Sequence, residues 1–286
     1  MMLQDDIKAA VKLALDEDLD HQSHLVGDIT ANLIPSENES TATIISRDKA
    51  IFCGKAWADE VFLQLGNKIT INWFVQDGDE VQPNQVLCEL SGSTRILLTG
   101  ERSALNFIQM LSSTATITKS YVDLIKHTNT QLLDTRKTIP GQRTAQKYAV
   151  TCGGGANHRI GLFDAYLIKE NHIMGCGGIV PAITKARELH PDKKVEVEVE
   201  SIDELTQALN ANADIIMLDN FTTDMMKKAV ELNNQRPQDK VIKLEVSGNV
   251  TSETIAGFAE TGIDYISVGA LTKHIQAVDL SMRLIK

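Results

Sequence analysis

Hydrophobic and polar residues follow two different rhythms along the first third of the chain. Between residues 7 and 15 the apolar positions recur at helical spacing, which predicts an N-terminal helix. Residues 41–46 and 69–75 have the composition of strands, and a helical pattern over residues 55–65 lies between them. A long helical pattern then extends from about residue 99 to 127. This part of the chain is therefore predicted to mix helices and strands.

Beyond residue 112 the pattern becomes a regular alternation of short apolar runs and helical stretches. Six such runs, each ending in polar residues, cover residues 132–133, 166–168, 195–199, 215–218, 242–246 and 265–268. Successive strand–helix units predict a parallel sheet. Polar residues follow every strand, as at the catalytic face of a closed α/β barrel. An open sheet would instead concentrate its binding residues at one switch point, so we favour the barrel. A complete barrel of this class has eight strands and the pattern shows six, so a partial or seven-stranded barrel remains an alternative.

Length and composition set outer limits on the class of protein. The 286 residues suffice for one large or two ordinary domains, and we divide the chain into residues 1–112 and 113–286. A hydrophobic content of 43% and a charged content of 23% are typical of a soluble globular protein. We expect no membrane segment and no signal peptide. Four scattered cysteines without metal-binding spacing suggest free thiols in a reducing cytoplasm.

A cationic stretch stands out in an otherwise acidic chain. Residues 134–172 hold six lysines and arginines against three acids, a local charge of +3, whereas the whole chain carries −10. This contrast indicates that a small anion is bound here. Nucleic acid is a poor candidate, because it requires a basic face on a chain of high isoelectric point.

The alternating strand 195–199 places valines on one face and glutamates on the other. Helices cover the outer face of a barrel, so Glu196 and Glu198 are predicted to point inwards. A buried carboxylate requires a cation. For Glu196 we consider an internal ion pair, for example with Lys243. For Glu198, near the strand end, we favour a site role, with Asp219 as a second carboxylate suited to a divalent cation and a phosphorylated ligand, or to positive charge developing on carbon.

Four basic residues form the anion-binding side of the predicted site: Arg136, Lys137, Arg159 and Lys169. Arginine suits bidentate binding of carboxylates, and lysine offers a compact charge to phosphate oxygens. The glycines at 153–155 permit close approach of the backbone to a ligand, or form only a turn. His158 is either a proton donor or a hydrogen-bonding wall, and we favour the wall.

Two further motifs have simpler interpretations. Residues 77–87 resemble part of a biotinyl or lipoyl carrier hairpin, but they lack an attachment lysine turn, so we interpret them as a turn between strands. Arg102 opens a long helix, and from its surroundings in the sequence alone a local salt bridge is the default expectation.

With these motifs assembled, the chain resembles the quinolinate phosphoribosyltransferase family over nearly its whole length. The resemblance is carried by eight ordered motifs, at residues 27–30, 100–106, 134–138, 153–159, 169–172, 196–198, 218–220 and 267–272. It implies an N-terminal α/β sandwich followed by an incomplete, seven-stranded α/β barrel, the type II phosphoribosyltransferase architecture, with a C-terminal tail that packs back on the N-terminal domain.

The resemblance also implies a reaction. Quinolinate and phosphoribosyl pyrophosphate would be joined to give nicotinate mononucleotide, pyrophosphate and CO₂ in de novo NAD biosynthesis. Mg²⁺ would be the only cofactor, with no organic cofactor. The enzyme would be a cytoplasmic homodimer, and a hexamer stays open.

Residue roles follow from the same resemblance. Arg136, His158, Arg159 and Lys169 would surround the two carboxylates of quinolinate. Thr135 and Lys137 would bind substrate, Lys137 on the phosphoribosyl pyrophosphate side, while Glu198 and Asp219 would hold the ribose and metal. Lys137, Lys169, Glu198 and Asp219 would be the catalytic residues. Backbone N–H groups of two loops would bind the 5′-phosphate, at Ser247, Gly248, Asn249 and at Ser267, Val268, Gly269. Arg102 would reach the site of a neighbouring subunit, which replaces the salt-bridge expectation.

Two alternatives remain at this point. The first is a related phosphoribosyltransferase acting on nicotinate or another pyridine, because a shifted specificity would look similar in one sequence. The second, from a different class, is a non-catalytic anion-binding barrel, against which Glu198 and Asp219 argue.

Overall fold

The computed structural model describes residues 2–285, which form two compact units. The first comprises the described residues up to Lys119, the segment Thr138–Gly154 and the described residues from Leu271 onwards; the second comprises Ser120–Lys137 and Gly155–Ala270. The chain thus leaves the second unit after Lys137 and returns to it at Gly155.

The helices are short apart from one of 32 residues. In chain order they are α1 (Met2–Asp18), α2 (His24–Gly27), α3 (Lys55–Gln64), α4 (Thr94–Ile125), α5 (Arg143–Cys152), α6 (Glu170–Cys176), α7 (Ile179–Leu189), α8 (Ile202–Asn210), α9 (Thr223–Asn234), α10 (Ile255–Ala259) and α11 (Ala270–Lys273), with 3-10 turns at Ala31–Leu33 and Gln238–Lys240. Among the described residues, none of these helices is both long and apolar enough to cross a membrane.

The strands are equally distributed between the units. They are β1 (Glu39–Ser46), β2 (Ala50–Ile51), β3 (Ile69–Trp73), β4 (Glu80–Val81), β5 (Val86–Ser93), β6 (Gln131–Leu133), β7 (Tyr166–Ile168), β8 (Val195–Val199), β9 (Ile215–Asp219), β10 (Lys243–Ser247), β11 (Tyr265–Ser267) and β12 (Leu280–Ile285).

The first unit is built around a four-stranded antiparallel sheet in the order β12-β1-β5-β3. The helical stripe predicted from residue 7 lies in α1, where Ile7 and Val11 are buried in the core. The predicted helix at 55–65 and the predicted strands at 41–46 and 69–75 are confirmed as α3, β1 and β3, and the long helix begins five residues earlier than expected. The carrier-like segment forms the turn between strands that the sequence predicts.

The second unit contains a parallel sheet in the order β6-β11-β10-β9-β8-β7. These are the six predicted strands, found in their expected places. Ala156 adds a parallel bridge to Leu133 at the free side of β6, so a seventh segment joins the sheet at a single residue. The α/β architecture and the incomplete parallel barrel are therefore as expected. All carboxyl ends of the strands meet at one edge, which brings the polar residues after each strand together.

The face that each strand presents follows its alternation. In β8 the three valines are fully buried, and Glu196 and Glu198 lie on the opposite face. In β10, Leu244 and Val246 are buried in the same way as the valines. In these two strands, apolar side chains thus face the surrounding helices and leave the inner face to glutamates and lysine.

Candidate active site

The carboxyl ends of the parallel strands enclose a cavity of about 150 Å³. Its lining consists mainly of residues that directly end or follow β6, β7, β8, β10 and β11. The lining residues are Thr135, Arg136, Lys137, His158, Arg159, Leu167, Lys169, Glu198, Met217, Ser247 and Ser267. Nine of these eleven residues were singled out from the sequence. Leu167 and Met217 were not, because an apolar residue within a strand carries no signal that it faces a ligand.

Two arginines give the cavity its positive charge. The half-buried guanidinium of Arg159 donates to the carbonyl of Ala165 at 3.2 Å. Burial, together with the neighbouring charge of Arg136, lowers the pKa of Arg159. Arg136 Nε is a buried donor that finds no acceptor among the described residues. Two like charges next to each other, one with an unsatisfied donor, are stabilised by an anion that brings two negative charges.

Lys169 and Glu198 form an ion pair across the strand ends of β7 and β8. The Lys169 side chain is 45% exposed and that of Glu198 only 14%, so the carboxylate is the buried partner. Lys169 precedes α6, and its backbone N–H donates to Nδ1 of His172 at 3.0 Å. His172 is therefore a structural hydrogen-bonding residue that fixes the backbone of Lys169 at the start of the helix.

Asp219 is the second carboxylate of the site and ends β9. Its Oδ2 accepts from the side-chain amide of Asn220 at 2.8 Å, and Oδ1 of Asn220 accepts from the side-chain amide of Asn249 at 3.1 Å. Burial, followed by the charge of Glu198, raises the pKa of Asp219. The two carboxylates thus repel each other, and a cation between them would relieve that repulsion.

Gly248 lets this chain of side chains pack closely. It has φ +90°, and a Cβ at this position would lie 2.4 Å from Oδ1 of Asn220 and 3.1 Å from Oδ1 of Asp219. No other residue type fits without moving Asn220. Gly248 therefore sets the position of the Asp219 side chain.

Asp134 anchors the glycine-rich segment to the end of β6. It is fully buried, and its Oδ1 accepts from the backbone N–H of His158 at 2.9 Å. Its Oδ2 accepts from the amide of Asn157 at 2.6 Å. Ala156 completes the attachment by donating its backbone N–H to Leu132. In the sequence Asp134 is marked only as an acid and as the first residue of the motif at 134–138, although its place directly after a strand could have suggested an anchoring role.

His158 lies between the cavity and two buried glutamates. Its Nδ1 accepts from the backbone N–H of Arg159 at 2.8 Å, which places the ring proton on Nε2. Nε2 lies 2.8 Å from Oε2 of Glu196 and 3.6 Å from Oε2 of Glu245. Both ring nitrogens thus face protein groups, and the imidazole forms a wall of the cavity.

Glu245 was noticed in the sequence only for its alternation with apolar residues. Burial, followed by the charge of Glu196, raises its pKa to about 8, so the carboxyl is mostly protonated at neutral pH. The expected pairing of Glu196 with Lys243 is wrong. Lys243 lies at the amino end of β10, where its side chain is 58% exposed and bonds Asp264 at 2.5 Å. Asp264, at the exposed rim, is thus the acid that pairs with Lys243. The group next to the Glu196 carboxylate is the imidazole of His158.

The loops after β6 and β11 meet at Lys137. Its backbone N–H donates to the Thr135 hydroxyl at 3.1 Å. A Cβ at Gly269 would lie 2.9 Å from Cδ of Lys137, so this glycine leaves room for the lysine side chain. Val268 does not fit the predicted phosphate-binding role. It is buried and its N–H donates to the Leu133 carbonyl at 2.9 Å, so Val268 instead joins β11 to β6.

Some cationic residues of the 134–172 stretch lie elsewhere. Arg143 and Lys147 are on α5 in the first unit, and Arg143 donates to Thr138 at 3.2 Å. Arg102 is an exposed residue of α4, also in the first unit. The local charge of the sequence thus overstates the charge of the cavity, because the chain leaves the second unit between residues 138 and 154.

A parallel barrel with paired arginines facing a lysine–glutamate pair at its strand ends defines an enzyme of the α/β class that acts on small anions. Comparison with known proteins specifies it further. Models of the quinolinate phosphoribosyl transferase N-terminal and C-terminal domains match residues 28–112 and 114–283. The chain belongs to the quinolinate phosphoribosyltransferase family.

Individual relatives agree with this assignment. The chain is 40% identical to the probable nicotinate-nucleotide pyrophosphorylase (carboxylating) of Bacillus subtilis over 90% of this chain and 87% of the relative. It is 36% identical to the corresponding Mycobacterium leprae protein over 98% of both chains. The solved nicotinate-nucleotide pyrophosphorylase of Francisella tularensis superposes with a TM-score of 0.92 at 51% identity, covering 99% of this chain and 97% of that one.

Proposed function

We propose that this chain transfers the phosphoribosyl group of phosphoribosyl pyrophosphate to quinolinate, with decarboxylation, to form nicotinate mononucleotide, pyrophosphate and CO₂. This makes it a pentosyltransferase of NAD biosynthesis. Family membership and relatives of that name over nearly the full length support the assignment.

The observation that carries the proposal is the pair Arg136 and Arg159. Burial, followed by the charge of Arg136, lowers the pKa of Arg159, and Nε of Arg136 is buried without an acceptor among the described residues. Quinolinate carries two adjacent carboxylates, so each guanidinium can bind one of them. Lys169 is already paired with Glu198, which leaves the two arginines as the main attraction for the substrate.

The acids opposite the arginines suit the transfer step. Loss of pyrophosphate leaves positive charge on C1 of the ribose, and the carboxylates of Glu198 and Asp219 can stabilise that charge. Both are fixed before the substrate arrives, Glu198 by Lys169 and Asp219 by Asn220. Positioning both polyanionic substrates between opposite charges offsets their mutual repulsion.

Decarboxylation then follows from the product of the transfer. Once the ring nitrogen carries ribose it is positive, which stabilises the carbanion left on the adjacent carbon when CO₂ departs. The carboxylate that leaves must give up its contact with a guanidinium. We assign that contact to the Arg136–Arg159 pair, because the half-buried position of Arg159 strengthens the charge interactions of the bound substrate.

We propose Mg²⁺ as the only cofactor. Glu198 and Asp219 fit such an ion, because they are two mutually repelling carboxylates whose oxygens are the ligands that Mg²⁺ prefers. They would hold it directly or through water or substrate oxygens. When bound, Mg²⁺ neutralises charge on the pyrophosphate leaving group.

We further propose that the chain acts in the cytoplasm as a homodimer in which Arg102 completes the site of the partner subunit. Arg102 is exposed on α4, free to meet another copy of the chain. The free thiols of all four cysteines support a reducing compartment.

The proposal is tested by incubating the protein with phosphoribosyl pyrophosphate and either quinolinate or nicotinate, while following CO₂ and the mononucleotide product. With quinolinate we expect equal amounts of CO₂ and nicotinate mononucleotide, and with nicotinate we expect neither product. Product from nicotinate without CO₂ would instead indicate the related specificity, and quinolinate binding without turnover would indicate an anion-binding protein.

A matched pair of variants locates the activity in the cavity. Arg136→Gln is expected to lower kcat/KM for quinolinate by about 30- to 1000-fold, corresponding to about 2–4 kcal/mol for a charged contact. Arg283→Gln, at an exposed arginine of β12, should leave it unchanged. Equal effects of the two substitutions would contradict the assigned role of Arg136.

A further inference from the structure

Two cysteines and an aspartate lie close together in the first unit, and none of them lines the barrel cavity. Cys53 follows β2, Asp77 lies in the turn before β4, and Cys152 is the last residue of α5. One ligand-type atom from each lies within 4.8 Å of those of the other two, so the two cysteine sulfurs are close neighbours. The proposed reaction uses none of these groups.

The two thiols differ in environment. Cys53 is fully buried, whereas Cys152 is partly accessible. Burial raises the pKa of the Cys53 thiol. The neighbouring Cys53 thiol lowers the pKa of the Cys152 thiol, against the opposing effects of burial and of the Asp77 charge. An accessible, more acidic thiol beside a buried one is the arrangement of a reactive cysteine and its resolving partner.

Asp77 is occupied elsewhere, which argues against a metal site. Its Oδ1 accepts from the backbone N–H of Gly54 at 3.0 Å and of Lys55 at 3.2 Å. Its Oδ2 accepts from the Tyr148 hydroxyl at 2.7 Å. The carboxylate thus fixes the start of α3 and holds the hydroxyl of Tyr148. Two thiols without a third ligand do not make a zinc site.

We propose that Cys152 and Cys53 form a peroxide-reactive dithiol that closes to a reversible intramolecular disulfide. The co-reactant is a hydroperoxide, for which hydrogen peroxide is the probe. The inference is independent of the proposed function, since it concerns no residue of the barrel cavity.

The chemistry balances in two steps. The Cys152 thiolate attacks one peroxide oxygen, the O–O bond breaks, and the departing oxygen leaves as water after taking up a proton, giving a sulfenic acid on Cys152. The Cys53 sulfur then attacks the Cys152 sulfur, the S–O bond breaks, and the hydroxyl leaves as a second water with the Cys53 proton. Two thiols are oxidised by two electrons and one peroxide is reduced.

The test uses the full-length protein, reduced and then freed of reductant. After treatment with a small excess of hydrogen peroxide, the thiols titratable in denaturant should fall from four to two. The intact mass should decrease by the two hydrogens lost, and peptide mapping without reductant should find a peptide that joins Cys53 to Cys152. Dithiothreitol should restore all four thiols.

Variants separate this site from general oxidation. Cys53→Ser should stop at a Cys152 sulfenic acid that dimedone traps, and Cys152→Ser should leave Cys53 unreacted. Tyr148→Phe should slow the reaction of Cys152 by roughly three- to tenfold, because it removes the hydroxyl that donates to Asp77, whose charge raises the pKa of the Cys152 thiol. Cys176→Ser, at an exposed cysteine, is the matched control and should form the link at the normal rate. Circular dichroism checks that each variant folds.

Three results would overturn the proposal. The first is oxidation of Cys176 while Cys53 and Cys152 stay reduced. The second is a disulfide only between two chains. The third is a stoichiometric zinc ion that copurifies with the reduced protein, protects both thiols and is lost in Cys53→Ser and Cys152→Ser.

Discussion

His158 Nε2 lies 2.8 Å from Oε2 of Glu196, a carboxylate buried inside the barrel. Glu245 stands next to both, fully buried, with its hydroxyl neighbour Ser267. Two carboxyl groups and one neutral imidazole therefore share the space behind the substrate cavity. They are compatible there because Glu245 holds a proton.

The protonation of Glu245 predicts a pH-dependent stability. The pKa is about 8 in the folded protein and near the ordinary value of 4.5 in the unfolded chain, so between these values folding takes up a proton. The stabilisation is complete below pH 4.5 and decreases as pH rises to about 8, by up to about 1.4 kcal/mol for each pH unit. Glu245→Gln should remove this dependence, measured by urea unfolding from pH 5 to 9, and exposed Glu253→Gln should retain it. If the free energy of unfolding depends on pH in the same way in wild type and in Glu245→Gln, the raised pKa is not that of Glu245.

Asp134 should prove the main anchor of the segment that carries His158 and Arg159. Asp134→Ala leaves buried donors of Asn157 and His158 without their acceptor, and we expect a loss of about 2–5 kcal/mol in the free energy of unfolding. Asp134→Asn keeps an oxygen that accepts from His158, but it places the new side-chain NH₂ group against the NH₂ group of Asn157, so two donors face each other. The double variant Asp134→Asn/Asn157→Asp exchanges donor and acceptor and should recover part of the stability and of the quinolinate affinity. A double variant worse than both single ones would show that this contact is not the anchor.

Gly248 should tolerate no side chain. In Gly248→Ala the new Cβ would meet Oδ1 of Asn220 at 2.4 Å and displace the side chain that orients Asp219. We expect kcat to fall more than about tenfold, a barrier increase above roughly 1.4 kcal/mol. Gly66→Ala is the control, because its φ of +111° imposes comparable backbone strain with no atom within 4 Å of the new Cβ. Loss of activity in both would point to strain alone.

Removal of divalent metal should stop turnover without unfolding the protein. The carboxylates of Glu198 and Asp219 lose only the ion, since Lys169 and Asn220 still hold them. We expect CO₂ release to cease in excess chelator and to return with added Mg²⁺, while the unfolding transition changes little. Steady CO₂ release after complete chelation would exclude the proposed cofactor.

A shared site predicts complementation between two inactive chains. Arg102→Ala removes the contribution to the partner, and Lys169→Ala removes the partner of Glu198 within the chain's own site. If each site combines Lys169 of one chain with Arg102 of another, mixed dimers contain one intact site and should regain up to about half of the activity per dimer. Heterodimers verified by differently tagged subunits are the sample to assay. Complete inactivity in them would argue for sites within single chains.

The sequence predicted the barrel well because its signals are local. Each parallel strand is a short apolar run that ends in polar residues, and the alternation in Val195–Val199 alone distinguishes the inner face from the outer one. Glu198, Asp219 and Lys169 were found in this way, since a strand end fixes where a side chain begins.

The contacts that could not be predicted join residues far apart in sequence. Asp134 meets Asn157 and His158 over more than twenty residues, and no pattern in the sequence encodes that distance. Lys243 and Glu245 occupy equivalent positions in one alternation, yet one lies at the exposed rim and the other in the interior. Val268 belongs to a motif of binding loops, but the register of β11 against β6 commits its N–H to Leu133.

The excursion of the chain through the first unit has a consequence for how the protein can be divided. Helix α5 lies between Lys137 and Gly155 in sequence but packs with the first unit, where Thr144 bonds Asp6 at 2.6 Å and the Tyr148 ring lies 5.5 Å from that of Trp57. No single cut of the polypeptide therefore yields two self-sufficient fragments. A fragment beginning at residue 113 would contain α5 without the first-unit residues that cover its apolar side chains. Those side chains would be exposed to water, so the barrel depends for its solubility on first-unit residues that form no part of it.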